Sequence, residues 1–166
     1  MNHFDVTSRS WFAILPPNQQ ELHRLSMFLY NREASAEYQL SDYSFVIFPI
    51  SKAYEGFLKL YLLEMNLISR TVFEGKQFRI GRALNPDVRK DQRDKYWLYD
   101  DVERACGKET AQILWQTWLQ CRNQVFHYFP MKPFKMSLPV AYERLTQIDE
   151  SITAAFACQQ KLHFQV

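Results

Sequence analysis

Apolar residues recur at threes and fours along most of the chain, the spacing of one face of an α-helix. The strongest stretch is 42–69, where Tyr43, Val46, Ile47, Ile50, Tyr54, Phe57, Leu58, Tyr61, Met65 and Ile68 keep that period. From Phe57 to Leu63 the segment is apolar almost all round, which predicts a central, buried helix. Pro49 is expected to kink this helix or split it in two, because proline lacks the N–H and crowds the preceding turn. Ahead of it, Pro16-Pro17-Asn18 is a helix-start signal, and Leu22, Leu25, Met27, Phe28 and Leu29 predict an amphipathic helix to about Tyr38. His23 lies on that helix and is expected to be solvated. Residues 1–15 carry Phe4, Trp11, Phe12, Ile14 and Leu15 without a period and read as an N-terminal arm packed on the body.

The helical pattern breaks over 70–95. Thr71 to Gly81 reads as a small hairpin or an ordered loop, and Asn85-Pro86-Asp87 starts a turn or short helix. Tyr96 to Ala105 predicts a short helix whose Asp100 and Asp101 suit the helix dipole rather than catalysis. Gly107 is its stop. The next helix runs from about Lys108 to His127 or Tyr128, with Ile113, Leu114, Thr117, Trp118, Cys121 and Val125 facing inward. Pro130, Pro133 and Pro139 bracket a connector that is not helical throughout. A last helix from about Pro139 to Lys161 follows, with Ala141, Leu145, Ile148, Ile152, Ala155 and Phe156 on one side. The sum is one all-α domain over 1–166, a bundle of four to five helices with one irregular excursion.

Composition agrees with this: 47% of residues are hydrophobic and only four of 166 are glycine, against a turn-rich β architecture. Net charge is only +2, so any nucleic-acid surface has to be local. It is concentrated in the excursion, where seven Lys/Arg between Lys76 and Lys95 face three Asp. Arg79, Arg82, Arg89, Lys90 and Arg93 are therefore candidate phosphate contacts. The cysteines, Cys106, Cys121 and Cys158, are odd in number and form no C-x-x-C pair. That predicts a reducing cytoplasm with neither a disulfide framework nor a zinc site. No apolar run of spanning length and no secretory leader stand out, so no membrane partner is expected. A Gly-rich phosphate loop and a dinucleotide fingerprint are missing, and His3, His23, His127 and His163 are scattered. No metal or cofactor is expected.

Chemistry gathers at the end of the penultimate helix, in Cys121-Arg122-Asn123-Gln124-Val125-Phe126-His127. Asn123 and His127, four apart, share a helix face. Arg122 lies five before His127, roughly 140° round a regular helix, so the two converge best if the last turn distorts. A fixed positive charge beside a group that titrates near neutral pH suits work on a phosphodiester. An Arg and a His at a helix C-terminus also simply complement its carbonyls. Glu55 and Lys59, four apart on the most apolar helix, have either to pair there or to face a cleft. Cys121 next to Arg122 falls on the apolar stripe and reads as core.

Arg122-Asn123-x-x-x-His127 resembles the signature of the HEPN superfamily, an all-α family with an arginine, a polar residue and a histidine four to six positions on. Lys52-Ala53-Tyr54-Glu55-Gly56-Phe57-Leu58-Lys59 is similar to that family's second helix. The likeness spans roughly 42–156 and is greatest to RNase LS-type toxins, in which a glutamate on an earlier helix joins the Arg–His motif. Phe129 stands where another branch has a modifiable tyrosine, with Tyr128 one place early, so AMPylation there is not implied. The resemblance implies a metal-independent endoribonuclease, a homodimer with a composite active site, and a toxin of a toxin–antitoxin or phage-defence system with an antitoxin partner. It assigns catalysis to His127, Arg122, Asn123 and Glu55, with Lys59 a weaker candidate for holding RNA. The competing expectation is a non-catalytic RNA-binding or protein-interaction module. A third is a structural subunit in which Arg122 pairs with Glu55 inside the bundle.

Overall fold

A computed structural model describes residues 3–128, 130–131 and 134–163; Phe129 and Pro133 lie outside them. It is all-α, and no strand occurs among the described residues. The long helices are α1 (Pro17–Ala34), α2 (Ser44–Glu64) and α8 (Leu138–His163). The excursion holds α3 (Arg70–Glu74) and α4 (Ile80–Ala83), followed by α5 (Tyr99–Cys106) and α6 (Lys108–Trp118). A π-helical turn, Leu119–Asn123, joins α6 to the short α7 (Gln124–Phe126).

The centre of the bundle is α2, as its nearly continuous apolar surface requires. Val46, Ile47, Ala53, Tyr54, Leu58 and Leu62 are fully buried against α1, α6 and α8. Pro49 does not split this helix. The Ser26 hydroxyl on α1 inserts at that point, accepting the Ile50 N–H (3.0 Å) and donating to the Val46 carbonyl (2.7 Å). One hydroxyl thus bridges the donor and acceptor of a single helical turn, pairing both groups beside the proline.

The N-terminal arm packs on the body. Trp11 is 1% exposed and its indole N–H donates to Thr153, while Arg9 bridges to Asp149 on α8 at 2.5 Å. This arm corrects the expectation for His23. The imidazole is fully buried against the Trp11 and Phe12 rings, and desolvation lowers its pKa to about 4.

Two further corrections concern the excursion and the cysteines. Thr71–Gly81 is no hairpin: the Ser69 hydroxyl accepts the Val72 N–H and starts a helical turn there. Cys106 and Cys158, expected as unpaired thiols, form a disulfide that ties the end of α5 to α8 across 52 residues. Cys121 stays a thiol inside the core, where burial raises its pKa to about 12. No helix among the described residues is long and apolar enough to cross a membrane.

Candidate functional site

Two polar side chains one turn apart on α2 build one wall of the site. Ser51, fully buried, donates its hydroxyl to the Cys121 carbonyl at 2.5 Å. In a regular α-helix that carbonyl would serve the N–H four residues on; here the ladder has slipped, and Gln124 N–H donates to Leu119 five residues back. Ser51 thus ties α2 to a carbonyl of the π turn. Gln147 and Arg144 on α8 brace the same turn, Arg144 reaching the Gln120 side chain at 2.8 Å.

Four residues after Ser51, Glu55 accepts from Arg122 Nε through Oε2 at 3.0 Å. Its other oxygen lies 3.8 Å from Lys59 Nζ. Arg122 sits over the Phe126 ring at 5.1 Å and close to Trp118 at 5.9 Å, so stacking as well as charge fixes its plane. The Glu55 and Arg122 side chains are 32% and 30% exposed. The pair is thus on the lip of a cleft and not inside the bundle. It uses one guanidinium nitrogen, and an arginine has four further N–H donors on Nη1 and Nη2.

The cleft, of about 400 Å³, is lined by Glu55, Lys59, Arg122, Asn123 and His127 together. His127 ends α7 with an extended backbone and an exposed ring. Arg122 on the π turn and His127, past the end of α7, line one opening despite their five-residue spacing. Opposite stand Lys76, Arg79 and Arg82 of the excursion. This second wall docks where Gly81 meets Trp118; a Cβ there would overlap the indole ring.

The remaining basic candidates do different work. Arg89, Lys90 and Arg93 are not among the residues lining this cleft. Arg89 pairs with Asp91 at the surface. Arg93 donates to the Val88 and Pro86 carbonyls and stacks 3.8 Å over Trp97, which makes it a structural brace of the excursion. Ser51 was not anticipated as part of the site; its only signal was a polar residue one turn before Glu55 on an otherwise buried face. Lys76 was counted in the basic run but not singled out. Among the described residues, no three His, Cys, Asp or Glu side chains are grouped to hold a metal ion. No family model matches the chain, and neither does any curated protein or solved structure.

Proposed function

We propose that the chain is a HEPN-type endoribonuclease that cleaves RNA through its own 2′-hydroxyl, without a metal. The observation that carries the reading is a partly buried Glu55–Arg122 ion pair on the same cleft as Asn123 and His127, facing Lys76, Arg79 and Arg82. The roles follow from the chemistry of the groups. Arg122 binds the scissile phosphate through its Nη donors and stabilises the charge that grows on it. His127 takes the proton of the 2′-hydroxyl or delivers one to the leaving 5′-oxygen, as an imidazole can near neutral pH. The 2′-oxygen–phosphorus bond forms, the phosphorus–5′-oxygen bond breaks, and the products are a 2′,3′-cyclic phosphate and a 5′-hydroxyl. Asn123 orients His127 or the phosphate. Glu55 holds Arg122, with Lys59 beside it.

The reading extends to assembly and setting. Leu25, Phe48 and Phe126 are each more than 40% exposed and line an apolar groove that shares Glu55, Lys59 and Arg122 with the cleft. A second copy of the chain laid on this groove would give the homodimer and composite site that the HEPN resemblance implies. The same reading makes the chain a toxin acting on cytoplasmic RNA, held in check by an antitoxin protein. In that compartment thiols are kept largely reduced, so Cys106 and Cys158 would stand there mainly as the dithiol.

The test is cleavage of RNA in EDTA by the wild type, Arg122→Ala and His127→Ala, with analysis of product ends. The wild type is expected to leave cyclic phosphate ends, and His127→Ala to lower the rate by about 10²–10⁴-fold. Equal rates in all three proteins, or products with other ends, would sink the reading. RNA bound but not cut by the wild type would identify a binding module that uses the same cleft.

A further inference from the structure

Beside the catalytic cleft lies a second hollow of about 390 Å³, within the size range of pockets that enclose small organic groups. Phe78, Arg79 and Arg82 line both, so the two hollows adjoin across a shared wall. The chemistry of the second hollow differs from that of the first. Val72, Phe78 and Tyr96 give it apolar walls, and the Phe78 and Tyr96 rings stand 6.3 Å apart at 74°. Tyr96 is 38% exposed and carries Lys95 Nζ 5.1 Å over its ring. Asp94 at the rim accepts from Arg82 through one oxygen and from the Tyr96 backbone N–H through the other. That carboxylate fixes the ring next to the arginine.

We infer that this hollow is a nucleobase subsite, holding one base of single-stranded RNA against Phe78 and Tyr96 while an adjoining phosphate lies over Arg79 and Arg82. The inference rests on the proposed RNA substrate and adds what the chain grips beyond the scissile phosphate. A phosphate does not enter an aromatic hollow rimmed by a carboxylate. A base has two apolar faces and an edge of N–H and carbonyl groups, which suits aromatic walls with Thr71, Gln77 and Asp94 at their border. The shared arginines set the base next to the phosphate track leading to Arg122.

The experiment is a fluorescence-anisotropy titration with 2′-O-methyl oligonucleotides of adenine and of uracil, which lack the attacking hydroxyl and are not consumed. Matched oligomers without bases serve as the backbone control. Phe78→Leu and Tyr96→Leu keep apolar bulk and remove the ring. Each is expected to lose about tenfold in affinity for the base-bearing oligomers, with an unchanged salt slope and no loss for the baseless ones. Wild-type affinity in both variants overturns the subsite and leaves the RNA reading standing. Failure of the wild type to bind any of the oligomers overturns the RNA reading and the subsite with it. A second measurement needs no variant: photo-cross-linking of a 5-iodouridine oligonucleotide to the wild type. Attachment at Phe78 or Tyr96 is expected, and attachment only elsewhere overturns the subsite.

Discussion

The wall of the cleft formed by α2 and the π turn is fastened by a buried hydrogen bond and a partly buried ion pair, whereas the wall formed by residues 76–96 is fastened by ion pairs more open to water. On the first, Ser51 meets the Cys121 carbonyl with no solvent access, and Glu55 meets Arg122 beside it. On the second, Arg82 pairs with Asp94 and Arg89 with Asp91, each side chain roughly half exposed or more. Breaking a buried hydrogen bond so that one group is left unsatisfied costs about 1–3 kcal/mol. An exposed ion pair contributes about 0–1 kcal/mol and weakens with salt. The difference suits the division of labour in the proposed reaction. Groups that must meet a transition state sit on the wall that cannot shift cheaply, and groups that must follow a flexible strand sit on the wall that can.

The largest expected effect falls on the frame behind the first wall. His23 is buried on α1 three residues before Ser26, the hydroxyl that joins α1 to α2 beside Pro49. Its folded pKa of about 4 lies below the usual 6.5, so between those values the unfolded chain binds more protons than the folded one. Stability is therefore full above pH 6.5 and falls as the pH drops towards 4, by roughly 3 kcal/mol over the window. Urea unfolding at pH 7 and at pH 4.5 measures it. His23→Met should flatten that part of the profile, and an unchanged slope in the variant would assign the acid sensitivity to other groups. Because the loss is in the frame, both walls should melt together.

Next in size is Ser51→Ala. It should cost about 1–3 kcal/mol by removing the buried hydroxyl that holds the Cys121 carbonyl. It should also lower RNA cleavage, because the π turn is free to revert and carry Arg122 away from Glu55. Stability and cleavage falling together is the expected signature. Full cleavage in a destabilised variant would show that the turn holds its shape without Ser51.

The two walls also differ in how far the sequence discloses them. The helical run that leads to Arg122 and His127 and the pairing partner Glu55 are visible as periodicity and spacing, since both depend on neighbours one or two turns away. The π turn is not, because the hydroxyl that stabilises it comes from a residue 70 positions earlier. Pro49 announces a bend, but whether α2 continues through it depends on Ser26, which only the packing of α1 brings near. His23 looks solvated until Trp11 and Phe12 cover it, and an arm without a period gives no register for that cover. In the excursion, Thr71, Val72 and Phe73 favour a strand by composition, and the Ser69 cap turns them into a helix. The basic run discloses its charge but not its geometry. Arg93 spends its donors on carbonyls and its plane on Trp97, which a count of charges cannot distinguish from a phosphate contact. Cys106 and Cys158 are too far apart in sequence to suggest a pair.

The smallest effect tests the second wall most sharply. Arg82 and Arg89 are each in an exposed ion pair with a nearby aspartate, Arg82 also donating to the Gln92 carbonyl, but only Arg82 lines the cleft. Neither Arg82→Ala nor Arg89→Ala should change stability by more than about 1 kcal/mol. They should part in RNA binding. Loss of one phosphate contact lowers the salt slope of the affinity by about one, so Arg82→Ala should show that change and Arg89→Ala should not. Titration of a 2′-O-methyl oligonucleotide at several salt concentrations reads the slope directly. If both variants lose the same slope, RNA runs over the whole excursion and the cleft is only part of its track. If neither does, Arg82 braces the site without touching phosphate, and affinity has to come from Lys59, Lys76, Arg79 and Arg122.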